Sequence, residues 1–155
     1  MQLVREDEIR ARVATAFERM RTRLAALLPD ARIEHIGSTA VAGSLTKGDL
    51  DVCVIVTAAD FDAATQTLAG SYSVHQPANW TEALASFIAP LDDGLEIGIQ
   101  LIVGGGAEED WFIGWRENLR SDPELRARYD RVKREHAGGS VEGYRAAKER
   151  LILGL

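Results

Sequence analysis

Residues 49–57, Asp-Leu-Asp-Val-Cys-Val-Ile-Val-Thr, place two carboxylates at the head of one of the most β-prone runs in the chain. On a strand, alternation sends Asp49 and Asp51 to one face and Leu50 and Val52 to the other, into a core. Charges at the start of a buried strand are costly unless something positive sits between them. Two carboxylates about 7 Å apart at their α-carbons can converge on one ion. A hard divalent cation such as Mg²⁺ or Mn²⁺ takes oxygen ligands and keeps waters and substrate phosphates in its shell. The plainer reading of Asp49 and Asp51 is a pair of solvating charges at a strand edge.

Some ten residues upstream stand Gly37, Ser38 and Thr39, where a preceding strand, 31–37, is expected to end. Glycine lets a phosphate approach the backbone, Ser38 and Thr39 can donate hydrogen bonds, and the following turn offers N–H groups. With Asp49 and Asp51 opposite, this makes a metal–triphosphate clamp; the alternative is a simple turn with a helix cap. Lys47, between the two elements, either binds a phosphate or is a loop lysine.

The rest of the chain predicts the scaffold. Ile9, Val13, Phe17, Met20, Leu24 and Leu27 recur at three- and four-residue spacing, giving a helix over 5–28 that Pro29 stops. A strand at 49–57, a helix at 60–68 and a short strand at 71–76 follow. Residues 77–82 read as a loop. Strands at 83–90 and 95–103 join around Asp92-Asp93-Gly94, a turn signal. Helices are expected at 107–120, 122–136 and 141–153, with Pro123 in a first turn and Ser140 as a cap. Trp111 and Trp115 are expected to share a helix face and pack on the sheet. His35 is read as structural, His75 and His136 as surface or loop residues, Lys133 as solvated, and Trp80 as a loop aromatic able to stack on a base. The order of elements argues an α+β domain, a mixed sheet with helices on it.

With 155 residues one domain is expected, 1–155, of which 107–155 form a helical extension packed on the rest. A net charge of -6 argues against nonspecific nucleic-acid or anionic-membrane binding. Cys53 is the single cysteine, which excludes an internal disulfide and a cysteine metal cluster; in an apolar run it reads as a small core residue. No apolar run approaches the roughly 20 residues needed to span a bilayer, and the N-terminus has no signal-peptide layout, so the cytoplasm is the expected location.

Ile36-Gly37-Ser38 followed by Asp49-Leu50-Asp51-Val52 resembles the signature of the nucleotidyltransferase superfamily. A narrower resemblance spans residues 34–152. His35-Ile-Gly-Ser-Thr-Ala-Val41 with Lys47, Trp115-Arg-Glu-Asn-Leu-Arg120, and the pairs Tyr129/Lys133 and Tyr144/Lys148 resemble the GrpB (UPF0157) family. The departures are Ala42 and Gly48 where the family has proline, and Gly98 and Gln100 where it often has a His-x-His pair. The resemblance implies a nucleotidyltransferase-like fold. It also raises Lys148 as a contact for an anionic substrate. A third carboxylate from a neighbouring strand is usual in such enzymes, and Glu96, sharing a face with Gly98 and Gln100, is the best candidate; Asp92 and Asp93 are alternatives, though a turn is the plainer reading for them.

Two functions follow. The first is a metal-dependent nucleotidyltransferase that binds a nucleoside triphosphate through Gly37, Ser38, Thr39, Lys47 and Lys148. Asp49, Asp51 and Glu96 would be its catalytic carboxylates and a small-molecule hydroxyl its acceptor. The second is a non-catalytic nucleotide- or phosphometabolite-binding regulatory module on the same fold.

Overall fold

In the computed structural model, which describes residues 2–154, the chain begins with β1 (Val4–Arg5) and the long α1 (Glu6–Leu27). Next come β2 (Arg32–Ile36), a 3-10 turn (Ser38–Ala40), β3 (Leu45–Thr46), β4 (Leu50–Val56) and α2 (Phe61–Ala69). β5 (Ser73–Val74), β6 (Leu84–Asp92) and β7 (Leu95–Val103) complete the strands. α3 (Ala107–Glu109), a π-turn (Asp110–Gly114), α4 (Trp115–Ser121), α5 (Pro123–His136) and α6 (Val141–Ile152) end the chain.

Five strands form one sheet in the order β2-β4-β7-β6-β5. β4 and β7 run parallel at its centre, and the other neighbours are antiparallel. The sheet is therefore mixed, as the sequence suggested. Alternation decides its two faces. Leu50, Val52 and Val54 of β4, with Leu95, Ile97, Ile99 and Leu101 of β7, point under α1 and α2 and meet Val13, Met20, Leu24, Phe61 and Leu68. Cys53 and Ile55 face the other way and join Ile36 and Ile102 beneath Phe112 and Ile113. Cys53 is fully buried, and burial pushes its thiol up to about 12, so it is an inert apolar residue. No described helix is long and apolar enough to cross a membrane.

α1 opens on three acids, Glu6, Asp7 and Glu8, which meet the positive end of the helix dipole. Glu6 is buried and held by both forks of Arg10, at 2.7 Å each, and by the Gly43 N–H. The expected cap forms at Ser140, which accepts from Gly143 N–H, and Asp122 caps α5 by accepting from Leu125 N–H.

Several expectations change. The strand over 71–76 shrinks to two residues, because Tyr72 N–H still closes the end of α2 on Leu68 O. The ribbon of β1 and β3 was not anticipated; two-residue strands carry no periodic signal. The loop over 77–82 contains a 3-10 turn, Pro77–Asn79. Trp111 is 43% exposed and does not cover the sheet, because Phe112 and Ile113 occupy that surface. Trp80 packs on Phe87 and donates its indole N–H to His75 O, in the core.

One hydrogen-bond chain fixes the turn after β2. Thr39 Oγ1 donates its proton to Asp49 O at 2.9 Å, so His35 Nε2, 2.9 Å from the same oxygen, must be the donor to it. His35 also stacks on Phe17. Burial, and then the charges of Arg120 and Arg116, hold its pKa down at about 4. A depressed pKa means that the unfolded chain takes up this proton first. The stability His35 confers is full above pH 6.5 and is lost as the pH falls towards 4, at about 1 kcal/mol per pH unit. Asp51, pushed up to about 6, works in the opposite direction over part of this window, so the comparison must be with a variant that retains it. We expect urea unfolding at pH 7 and pH 4.5 to show a smaller loss of stability in His35→Gln than in the parent.

Candidate functional site

The loop from β2 to β4 has little regular structure of its own, and side chains from the C-terminal helices satisfy its backbone. Arg116 Nη1 donates to His35 O at 3.0 Å and to Glu34, and Arg120 Nε donates to Ala40 O at 3.0 Å. On α5, Asp130 accepts from Leu45 N–H and Lys133 Nζ donates to Leu45 O. Val41 then packs among Leu119, Tyr129 and Leu151, with Trp115 and Tyr144 beside them. This joint brings the turn, the head of β4 and the two final helices around a single cavity of about 420 Å³.

Gly37, Ser38, Lys47, Asp49, Asp51 and Lys148 all line that cavity. Asp51 sits at the head of β4 opposite Gly98 of β7. A Cβ at Gly37 would lie 2.5 Å from Asp51 Oδ2, and one at Gly98 would lie 3.0 Å from Oδ1. Gly37 also has φ +80°, which L side chains rarely adopt. The carboxylate is thus seated between two glycines. The missing side chain at Gly98 is what leaves room for Asp51. Gln100 accepts from Ser86 Oγ at 2.6 Å and belongs to the sheet.

Thr39 does not line the cavity; its hydroxyl is spent on Asp49 O. The Ser38 hydroxyl donates to Thr46 Oγ1 at 2.7 Å. Glu96 lies on the Gly98 side of β7 but is exposed and outside the cavity lining. Its charge is felt at Lys47. Lys47 Nζ reaches Asp49 Oδ2 at 3.0 Å.

The charges in the cavity press on one another. Burial first, then the charge of Asp49, pushes Asp51 up to about 6, and Lys148 and Lys47 partly offset this. Burial pulls Lys47 down, but the hydrogen bond to Asp49 and the charges of Asp49, Asp51 and Glu96 leave its pKa raised. Burial lowers Lys148 and brings Lys133 down to about 8. The floor is therefore a strained carboxylate pair and the wall is lined by three lysines.

Lys133 corrects the sequence reading. It is 3% exposed, borders the cavity, and sits 4.1 Å over the Tyr129 ring. Tyr129 and Tyr144 share a hydroxyl–hydroxyl hydrogen bond of 2.9 Å and, with Trp115, give the cavity an aromatic wall. His136 also borders it, with Nδ1 bound to Val132 O. The signal for these residues was the repeated Tyr-x-x-x-Lys spacing, which puts each lysine one helical turn beyond its tyrosine. Reading a helical lysine as solvated hid it.

Among the described residues no three His, Cys, Asp or Glu side chains converge as a metal cage. The pair Asp49/Asp51 fits a cation in a different way: two mutually repelling carboxylates, open to a cavity, can hold a hard ion whose shell is completed by water and a phosphate.

Comparison with known proteins agrees with this architecture. Polymerases share the fold: a Cid1 poly(U) polymerase, in a structure described as MgGTP bound, superposes with a TM-score of 0.58 at 18% identity. A cytoplasmic RNA terminal U-transferase gives 0.55 at 20%. The chain spans about two fifths of each, 40% and 39%. The crystal structure of the conserved protein GrpB from Enterococcus faecalis gives a TM-score of 0.71 at 18% identity over 97% of both chains. A UPF0157 protein of Vibrio cholerae serotype O1 is 32% identical over 152 residues, covering 98% of this chain and 80% of that protein. Another, from Streptomyces coelicolor, is 31% identical over 153 residues, covering 94% and 78%. A model of the GrpB protein family matches residues 4–155, the stretch that contains the glycine-seated carboxylate, the arginine joint and both Tyr-x-x-x-Lys helices, and the chain belongs to the GrpB family on a nucleotidyltransferase-like fold.

Proposed function

We propose that the cavity binds a nucleoside triphosphate with Mg²⁺ or Mn²⁺ and transfers the nucleotidyl group to a small-molecule hydroxyl. The observation that carries this reading is the Asp49/Asp51 pair on the floor of a cavity whose wall carries Lys47, Lys133 and Lys148. A triphosphate would meet the repulsion of two carboxylates, and a divalent cation held by them would cancel that charge and leave the lysines to face the phosphates. Asp49 and Asp51 would hold that ion, which would offset charge on the α-phosphate and sharpen the acceptor hydroxyl. Lys47, Lys133 and Lys148 hold the phosphates, with Gly37 and Ser38 facing them. Trp115, Tyr129 and Tyr144 offer flat apolar surface to the rest of the ligand. In the transfer, the acceptor oxygen bonds to the α-phosphorus and the bridging α–β P–O bond breaks. Pyrophosphate leaves with the electron pair, and the hydroxyl proton passes to solvent. Glu96, outside the cavity, adds the smallest of the negative influences on Lys47.

A second reading is a metal-free module that binds a phosphorylated metabolite. The contact of Lys47 with Asp49 favours it, because an amine already sits beside the pair. Calorimetric titration with ATP, GTP, CTP and UTP, each with and without Mg²⁺, separates the two. Binding that requires Mg²⁺ supports the transferase; binding indifferent to Mg²⁺ supports the module; no binding of any triphosphate removes the first reading.

Asp51→Asn should lower Mg²⁺-dependent affinity by more than the roughly 10–100-fold typical of residues that only support metal ligands. Its melting temperature should hold or rise, since a buried, repelled charge is removed. A variant that keeps Mg²⁺-dependent binding sinks the assignment. Gly37 and Gly43 give a matched pair: both have positive φ, but a Cβ at Gly43 meets nothing within 4 Å. Gly43→Ala should cost about 1 kcal/mol and leave binding intact. Gly37→Ala should cost more and abolish binding, because its Cβ collides with Asp51. Equal effects in the two variants would show that Asp51 does not depend on that glycine.

A further inference from the structure

Behind the Gly37–Ser38 turn, on the side away from the carboxylate pair, lies a separate cavity of about 450 Å³ between α1 and the α4–α5 junction. Arg10, Arg120 and Arg126 reach it from three different helices. Their counter-charge there is Glu6, while His35 and Thr39 form part of its floor. His35 is neutral, so the lining carries three positive charges against one negative, in a chain whose net charge is -6.

Two of the three guanidinium groups are only partly used. Arg126 donates Nη1 to Leu119 O, and Nε and Nη2 have no acceptor among the described residues. Arg120 donates Nε to Ala40 O and Nη1 to Glu117 at 3.3 Å, which leaves Nη2. Arg10 is committed to Glu6 through Nε and Nη2. The bonds to Ala40 O and Leu119 O tether the Arg120 and Arg126 guanidinium groups to the backbone and leave donors to spare. Planar forks that converge from separate helices match the oxygens of a phosphate group, whereas lysines would offer only point charges.

We propose that this arginine-lined cavity is a second binding site, for a small phosphate-type dianion, distinct from the lysine cavity on the other side of the turn. Its size suits a small phosphorylated metabolite and not a polymer. It stands independently of the reaction assigned to the first cavity.

The test is a proton–nitrogen NMR titration of the full chain with inorganic phosphate and then pyrophosphate, with ionic strength held constant by chloride. The amides of Ala14, Ala42 and Arg126 report the arginine cavity, and those of Gly139 and Tyr144 report the lysine cavity. Saturable shifts at the first set are expected. They should persist in Lys148→Met and weaken about tenfold in Arg126→Ala, the loss of one charge-assisted anchor. Arg126→Lys keeps the charge without the fork and should weaken binding as well, which guards against an alanine variant that merely folds poorly. Arg10 is left intact because its loss would strand buried Glu6. Three results would overturn the proposal: shifts at the first set that never saturate, shifts unchanged in both Arg126 variants, or shifts that disappear in Lys148→Met.

Discussion

Four backbone groups between residues 35 and 45 depend on side chains of α4 and α5: the carbonyls of His35, Ala40 and Leu45 and the N–H of Leu45. Buried backbone polar groups must be paired, and a loop with one 3-10 turn and a two-residue strand cannot pair its own. Arg116, Arg120, Asp130 and Lys133 supply the partners. The same bonds tie α4 and α5 to the sheet, so the geometry of the cavity and the docking of the C-terminal helices are one property. Lys133 shows the economy of this arrangement. Its ammonium is a structural donor to Leu45 O and also part of the cavity wall, which explains why burial of a lysine is tolerated there.

On the sheet side the constraint is room. The β4–β7 register puts Asp51 opposite Gly98, and the turn puts Gly37 against its other oxygen. Neither glycine is there for chain flexibility alone. Both leave space around one carboxylate, whose raised pKa records how little water and how much neighbouring negative charge it has. A group kept in that state is usually found where a ligand resolves the conflict.

Where residues speak through periodicity, the sequence was readable. The stripe of α1 and the alternation of β4 and β7 placed the core, and Asp49-Leu-Asp51 placed the floor of the cavity. Contacts between distant segments left less trace. Nothing local says that Arg116 and Arg120 bond the loop carbonyls, or that Thr39 spends its hydroxyl on Asp49 O and not on a ligand. Glu96 shares its face with Gly98, as alternation requires, yet stands exposed outside the lining, because alternation fixes a face and not a position relative to a cavity. Lys133 was misread for a related reason: its ammonium bonds Leu45 O of β3, a partner distant in sequence. Trp111 lost its place on the sheet to Phe112 and Ile113, a competition that spacing alone does not decide.

The cavity draws its floor from residues 37–51 and much of its wall from residues 115–148. A ribosome therefore delivers the carboxylates and Lys47 long before Lys133, Lys148 and the tyrosines that face them. Until α5 and α6 emerge and dock, a nascent chain carries a half-built floor whose acids have only Lys47 beside them, and whose Leu45 lacks its partners Asp130 and Lys133. Completion of the pocket waits on α5 and α6, so a polypeptide that still lacks them has no tyrosine and lysine wall with which to hold a ligand.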